Sequence, residues 1–268
     1  MKNTRYAQFI TGSCFVIFLI ALIAVGIYLT QTNIDTNHHQ YDRQHHAEDQ
    51  SWLSELSPED VAALSEPNSY PVVNGKISSA MPEDHQILWD TVTALLPLKA
   101  RQHIGSFEII SGEGDEDGFV EQQENGGAWH FAISGALLFN IEELQHTIIH
   151  EYAHILSLNS QQISEENPCH TYEIDEGCAA ESSYIYRFYT HFWAGKHNEK
   201  TGGDPLSLDF VTEYAATNPI EDFADSFAMY VLGYEAESLE IQAKYDLFSA
   251  YPQLVTLTAH MQSNLLDG

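Results

Sequence analysis

The spacing of apolar side chains divides the 268-residue chain into segments with different expected structures. Residues 9–29 form an uncharged apolar run, and residues 31–80 form a polar stretch that contains three prolines. Apolar positions at helical spacing predict helices before Pro97 and over 182–193, 220–232 and 239–249. Short apolar runs predict strands at 107–110 and 129–134. This mixture predicts an α+β domain over residues 81–268, preceded by a polar stalk over 31–80.

A further helix is predicted directly after Asn140. Asn is a preferred residue at the N-cap of a helix, and Glu143 three positions later can complete a capping box. Apolar residues then recur along the segment, at Ile141, Leu144, Ile148, Ile149, Ile155 and Leu156. We therefore expect an amphipathic helix that begins at residue 141.

The apolar run near the N-terminus matches the length of a membrane-spanning helix. It contains 21 residues, and a helix needs about 20 to cross the hydrocarbon core. A cleavable signal peptide is the alternative, but the run is long for one and does not end in an Ala-x-Ala pattern. Lys2 and Arg5 precede the run. The positive-inside rule then predicts residues 1–8 inside the cytoplasmic membrane, an anchor over 9–30, and the remainder outside.

The chain is strongly acidic. It has 39 acidic and 10 basic residues and a formal net charge of −29, and every acidic residue follows position 30. Such a surface repels phosphate backbones, so nucleic acids are excluded as partners. The acidity indicates either a preference for cationic substrates or a solvated surface suited to salt, and we favour the solvated surface.

Two cysteines and one acidic loop suggest further features. Cys169 and Cys178 lie in a loop-like stretch, and in an oxidising compartment we expect them to form a disulfide rather than a zinc site, because CxxC spacing is absent. Residues 113–124 resemble a calcium-binding EF-hand loop, with Gly118 at position 6 and Glu124 at position 12. The flanks are predicted strands and position 1 is Glu113 instead of Asp. We therefore favour a hairpin turn, with calcium as the alternative.

The most informative motif is His150-Glu151-Tyr152-Ala153-His154. Two histidines four residues apart leave the same face of a helix, so both ring nitrogens can bind one Zn²⁺. The carboxylate of Glu151 can then reach a water activated by the metal and accept its proton as the water attacks a carbonyl. This pattern predicts a catalytic zinc site of the HExxH type.

A third ligand is expected further along the chain. The metzincin continuation is excluded, because Ser157 and Ser160 stand where that class has Gly and His. Downstream, Glu221 and Asp225 form a Glu-x-x-x-Asp pattern at the start of a predicted helix. Glu221 can complete the site, and Asp225 one turn later can accept the other ring N–H of His150. Asp204 is the alternative third ligand.

These motifs resemble those of the gluzincins, zinc metallopeptidases in which HExxH is followed by Glu-x-x-x-Asp/Glu. Segments 147–154 and 212–227 are most similar to the anthrax lethal-factor-like branch and to bacterial proteins labelled zinc-binding metallopeptidases. The resemblance covers roughly residues 100–260 and implies a zincin-like fold. It also implies that Tyr214, seven residues before Glu221, points at the zinc and stabilises the oxyanion. Asp225 departs from the pattern, because close relatives carry Glu there.

Together these features predict a membrane-anchored, extracytoplasmic zinc peptidase. His150, His154 and Glu221 are the expected metal ligands, Glu151 and Tyr214 the expected catalytic residues, and a peptide or protein the expected substrate. The alternative function is a zinc-containing binding or sensor module without turnover. The presence of Glu151 and Tyr214 favours the enzyme, since a structural site requires neither.

Overall fold

The structure is a computed structural model that describes residues 68–111, 117–123, 127–164 and 168–266. All of these residues belong to one compact unit, Leu56–Gly268. The predicted anchor and most of the predicted stalk lie outside the described residues, as do the calcium-loop positions 113–116 and 124. Within the described ranges, no helix has the length and apolar character that crossing a membrane requires.

The main sheet has five strands in the order β2-β1-β3-β5-β4. Strand β3 runs parallel to β5, and β4 pairs antiparallel with β5 and forms one edge of the sheet. In chain order the strands are β1 (Asn68–Val73), β2 (Lys76–Ile77), β3 (Ile104–Ile110), β4 (Gly118–Gln122) and β5 (Trp129–Ser134). The domain is therefore α+β, as predicted.

The folded domain starts earlier in the chain than the predicted Met81. Strands β1 and β2 lie within the segment assigned to the stalk, and β1 pairs with β3. Tyr70 and Val72 alternate with exposed residues and are buried, which is a strand pattern. Pro71 between them removes a backbone donor and is unusual in a paired strand, which is why the sequence favoured a polar stalk.

The predicted hairpin turn between the strands at 107–110 and 129–134 is also wrong. These two strands, β3 and β5, are parallel, so they cannot be joined by a tight turn. The intervening segment instead supplies the edge strand β4. None of its residues is fully buried, so its sequence lacks the apolar alternation that identifies a strand.

Helices cover the rest of the domain, and most were expected. In chain order they are α1 (Glu83–Leu95), α2 (Leu98–Arg101), α3 (Ile141–Leu158), α4 (Tyr184–Phe188), α5 (Pro219–Leu232), α6 (Leu239–Ser249) and α7 (Pro252–Gln262). A 3₁₀ turn spans Gly135–Phe139, and a π-helical turn, Tyr189–Trp193, extends α4. Helices α2 and α7 were not predicted.

Caps fix the starts of the two helices that carry the metal motifs. The Asn140 side chain accepts a hydrogen bond from the Glu143 N–H at 3.2 Å, which confirms the predicted N-cap of α3. At the start of α5, the Asn218 side chain accepts from the N–H groups of Ile220 and Glu221 at 2.8 and 3.0 Å. Helix α5 ends at Leu232 and is capped by Gly233, whose φ of +81° favours glycine.

Helix α3 lies in the interior of the domain. It packs against α5 and against strands β4 and β5, and its apolar residues Ile148 and Ile149 are fully buried. Phe107 and Phe131 of the sheet and Phe223 of α5 belong to the same core. Because both metal motifs lie on helices held in this core, their positions are set by packing rather than by mobile loops.

A second, three-stranded sheet carries the disulfide. Its strands are β6 (Ile163–Ser164), β7 (Tyr172–Ile174) and β8 (Gly177–Ala179). Cys169 and Cys178 are joined by a disulfide, as predicted, with their Cα atoms 5.3 Å apart. The bond ties the segment before β7 to β8 and so closes the hairpin between them.

Candidate metal centre

Three side-chain atoms converge where α3 faces the start of α5. The Nε2 atoms of His150 and His154 are 3.0 Å apart, and Glu221 Oε2 lies 3.2 and 3.3 Å from them. Within the described part of the chain, these residues form the one group of three with the spacing of a metal site. Asp204, the alternative ligand, lies outside this group and accepts a hydrogen bond from the Leu206 N–H.

The spacing of these atoms fits zinc. Ligands at 2.0–2.1 Å from a tetrahedral Zn²⁺ lie about 3.3 Å from one another, close to the three distances observed. The Oε2 atom of Glu221 is buried and has no hydrogen-bond donor of good geometry, although two ring nitrogens lie within 3.3 Å of it. A cation between the three atoms would satisfy all of them. Three protein ligands leave a fourth position open, as in catalytic zinc sites.

Asp225 orients the first histidine. Its Oδ1 atom lies 2.7 Å from His150 Nδ1, so the Asp side chain is long enough to reach the ring, as predicted. Because an ionised carboxylate only accepts hydrogen bonds, we assign the Nδ1 proton to this contact. The Nε2 atom of neutral His150 then presents a lone pair to the metal position.

His146 lies one turn before His150 on α3 and is not part of the ligand group. Its Nε2 atom is 3.6 Å from Asp225 Oδ1, and its ring centroid lies 6.0 Å from that of His150. The residue therefore lies beside the carboxylate that orients the metal ligand.

Glu151 and Tyr214 face the same cleft as the three ligands. The cleft has a volume of about 870 Å³ and is lined by all five residues. Glu151 is buried, whereas Tyr214 is 55% exposed and its ring centroid lies 5.8 Å from that of His150. Burial and the nearby carboxylates of Glu221 and Glu151 raise the pKa of Tyr214 well above 10, so its hydroxyl keeps its proton at neutral pH.

The charges at the centre alter the pKa values of the ligands. Burial lowers the pKa of His150, but Asp225 and Glu221 outweigh this effect, and the pKa lies well above 6.5. Burial raises the pKa of Glu221, but the two imidazoles outweigh it, and the pKa lies well below its usual value. The metal-free centre therefore attracts a proton to His150 and keeps Glu221 ionised.

Because His150 binds a proton in the metal-free centre, we predict that zinc affinity depends on pH. Zinc must displace the proton from His150, so affinity should fall as the pH falls, by about tenfold per unit where one proton is displaced. Competition with a chromophoric chelator between about pH 6 and pH 8 measures this slope. Asp225→Asn removes the carboxylate that raises the His150 pKa most, so the slope for this variant should be shallower over this range. An affinity that does not change with pH would contradict the protonated state.

Two side-chain contacts made by residues of α5 were not predicted from the sequence. The Thr212 hydroxyl donates to Asp225 Oδ2, and the Lys244 ammonium group forms a buried ion pair with Asp222. Thr212 lies 13 positions before Asp225, and Lys244 lies 22 positions after Asp222. Neither pair has a helical or strand spacing, so no local pattern could have identified them.

Comparison with known proteins leaves the family of the chain open. The sequence matches no protein-family model and no curated protein. The structure is similar to the crystal structure of a "putative zinc-binding metallo-peptidase" from Bacteroides caccae, with 15% sequence identity and a TM-score of 0.34. The similarity covers 83% of this chain and 87% of that one. Likeness at this level establishes neither family nor activity, so the functional conclusion depends on the chemistry of the site.

Proposed function

We propose that this chain is a zinc-dependent peptidase whose metal is held by His150, His154 and Glu221. The observation that carries the proposal is the convergence of these three ligand atoms in a cleft that Glu151 and Tyr214 also line. Zinc bound there supplies a Lewis acid that polarises a carbonyl and activates water.

Glu151 is the proposed general base. It follows His150 on α3, lines the same cleft and is not one of the three converging ligands. Its carboxylate accepts a proton from the attacking water and then delivers it to the leaving amine nitrogen.

Tyr214 is the proposed hydrogen-bond donor to the reacting carbonyl oxygen. Its hydroxyl is protonated at neutral pH, and its ring lies beside that of His150. A donor in this position stabilises the negative charge that develops on the oxygen when water attacks. This role matches the one implied by the resemblance to the gluzincins.

The edge strand beside the cleft suits an extended peptide substrate. Strand β4 is an edge strand, and all five of its residues line the cleft. Backbone N–H and C=O groups on the free side of an edge strand can pair with an added peptide strand. We therefore propose that the substrate chain lies along β4, with its scissile bond beside the three metal ligands.

The charge of the cleft predicts a preference for basic substrates. Besides Glu151 and Glu221, the residues that line the cleft include five carboxylates and one lysine. The carboxylates are Glu121, Glu173, Asp175, Glu176 and Glu199, and the lysine is Lys200. Peptides with Lys or Arg near the scissile bond should be cleaved with higher kcat/KM than matched Glu peptides, and the difference should shrink in high salt.

Charge reversal tests this preference. Glu173→Lys/Glu176→Lys should lower kcat/KM for basic peptides by about threefold to tenfold, the scale of one or two partly exposed ion pairs. Glu235→Lys/Glu237→Lys applies the same change to exposed residues that do not line the cleft, and should have little effect. Equal losses in both variants would attribute the effect to net charge rather than to the cleft.

We further propose that the domain acts outside the cytoplasmic membrane, tethered by residues 9–30. The apolar run and the basic residues before it support this proposal. The Cys169–Cys178 disulfide also supports it, because such bonds persist in oxidising compartments.

Incubation of the purified full-length protein with a diverse peptide library tests the proposed function. We expect cleavage products that disappear when a chelator removes the metal and return when zinc is restored. Full zinc occupancy without any cleavage would contradict the peptidase and favour a zinc-containing binding or sensor module.

A further inference from the structure

The Thr212 hydroxyl contacts both Asp225, which orients a metal ligand, and the turn that carries Tyr214. It donates a hydrogen bond to Asp225 Oδ2 and accepts one from the Ala215 N–H at 2.9 Å. The other carboxylate oxygen of Asp225 lies 2.7 Å from Nδ1 of the metal ligand His150. One hydroxyl group therefore connects the support of a metal ligand with the turn that carries Tyr214.

The chemistry of the neighbours fixes the direction of both hydrogen bonds. An ionised carboxylate can only accept, so Thr212 must donate to Asp225. A backbone N–H can only donate, so the hydroxyl oxygen must accept from Ala215. Serine could make the same two bonds, whereas valine has nearly the same shape as threonine and could make neither.

The position of Tyr214 depends in part on the backbone of this turn. Its side chain is 55% exposed, although it must point towards the metal position to act on a substrate. The turn has further hydrogen bonds, from the Ala216 N–H to Glu213 O at 3.2 Å and from the Thr217 N–H to Tyr214 O at 3.0 Å. The bond from Ala215 to Thr212 joins the backbone of the turn to the group that supports His150, in addition to the contact between the Tyr214 and His150 rings.

We propose that Thr212 is a positioning residue that aligns Tyr214 and, through Asp225, His150. The inference rests on the proposed peptidase function for the role of Tyr214, but the link to His150 concerns metal binding alone. A loss of the hydroxyl should therefore affect both zinc affinity and the catalytic step. A residue with only a structural role would change the stability of the fold and leave both properties unchanged.

Thr212→Val and Thr212→Ser in the full-length protein separate these possibilities. Thr212→Val should raise the zinc dissociation constant by about 10- to 100-fold, the range found for partners of metal ligands. At saturating zinc it should also lower kcat by about tenfold or more with little change in KM. Thr212→Ser should stay close to wild type in both properties. Thr256→Val makes the same change at an exposed threonine of α7 and should have no effect.

A double variant tests whether Thr212 acts through Tyr214. If it does, Thr212→Val should lower kcat much less in a Tyr214→Phe background than in wild type. Independent, multiplying effects would overturn the inference, and so would a Thr212→Val protein with wild-type zinc affinity or wild-type kcat.

Failure of the proposed function would be recognised separately. If the wild-type protein with full zinc cleaves no peptide, the peptidase assignment fails, and zinc affinity then decides the inference. Weaker zinc binding in Thr212→Val that Thr212→Ser restores would uphold it, and unchanged binding would overturn it.

Discussion

Replacement of Glu151 by Gln should remove nearly all peptide hydrolysis while the zinc and the fold are retained. The amide has nearly the same shape as the carboxylate but cannot accept the proton of the attacking water. General bases contribute about 10²–10⁴ to the rate, so kcat should fall by at least that factor. Glu151 is absent from the three-residue ligand group, so zinc content should not change.

Tyr214→Phe provides the comparison for this variant. It keeps the aromatic ring and the general base and deletes one donor to the oxyanion, so we expect a loss in kcat of about 10²–10³. Measurements of kcat, KM and zinc content for both variants separate the two roles. A fully active Glu151→Gln protein would contradict the mechanism, and a fully active Tyr214→Phe protein would restrict Tyr214 to packing.

Lys244→Met should destabilise the fold by about 3–5 kcal/mol, the cost of breaking a buried ion pair on one side. The Lys244 Nζ atom lies 2.7 and 2.8 Å from the two carboxylate oxygens of Asp222 and 2.6 Å from the carbonyl oxygen of Asp209. Both side chains of the pair are almost completely buried. Without the ammonium group, Asp222 keeps hydrogen bonds from Trp193 and Ser226 but loses its opposite charge.

Urea denaturation measures this effect against an exposed control. Lys196 forms an ion pair with Glu240 on the surface, and Lys196→Met should cost less than about 1 kcal/mol. The double variant Lys244→Met/Asp222→Leu should recover much of the lost stability, because it removes the unpaired charge. If Lys244→Met were no less stable than Lys196→Met, the buried pair would contribute little to the fold.

The parts of the site that follow from local sequence could be predicted. His150 and His154 share a helix, and the spacing of four residues brings their rings together whatever surrounds them. Glu221 lies in the first turn of α5, and Asn218 and Pro219 mark that start in the sequence. These local features account for the prediction of the ligand set, which the structure brings within 3.3 Å.

The parts that depend on contacts between distant segments could not be predicted. Strand β4 has no fully buried residue, and only its pairing with β5 makes it a strand. Strand β1 was missed for a similar reason. It contains Pro71, which is unusual in a strand, and the pairing of β1 with β3 is visible only in the folded chain. The partners of Thr212 and Lys244 are likewise set by how the helices pack, which no single-sequence pattern encodes.

The most direct test of the account measures zinc and peptide hydrolysis in the same samples of wild type and a His150→Ala/His154→Ala variant. The account predicts one zinc per wild-type chain, with zinc and hydrolysis lost together in the variant. Wild-type protein without zinc, or a variant that retains its zinc or its hydrolysis, would contradict it.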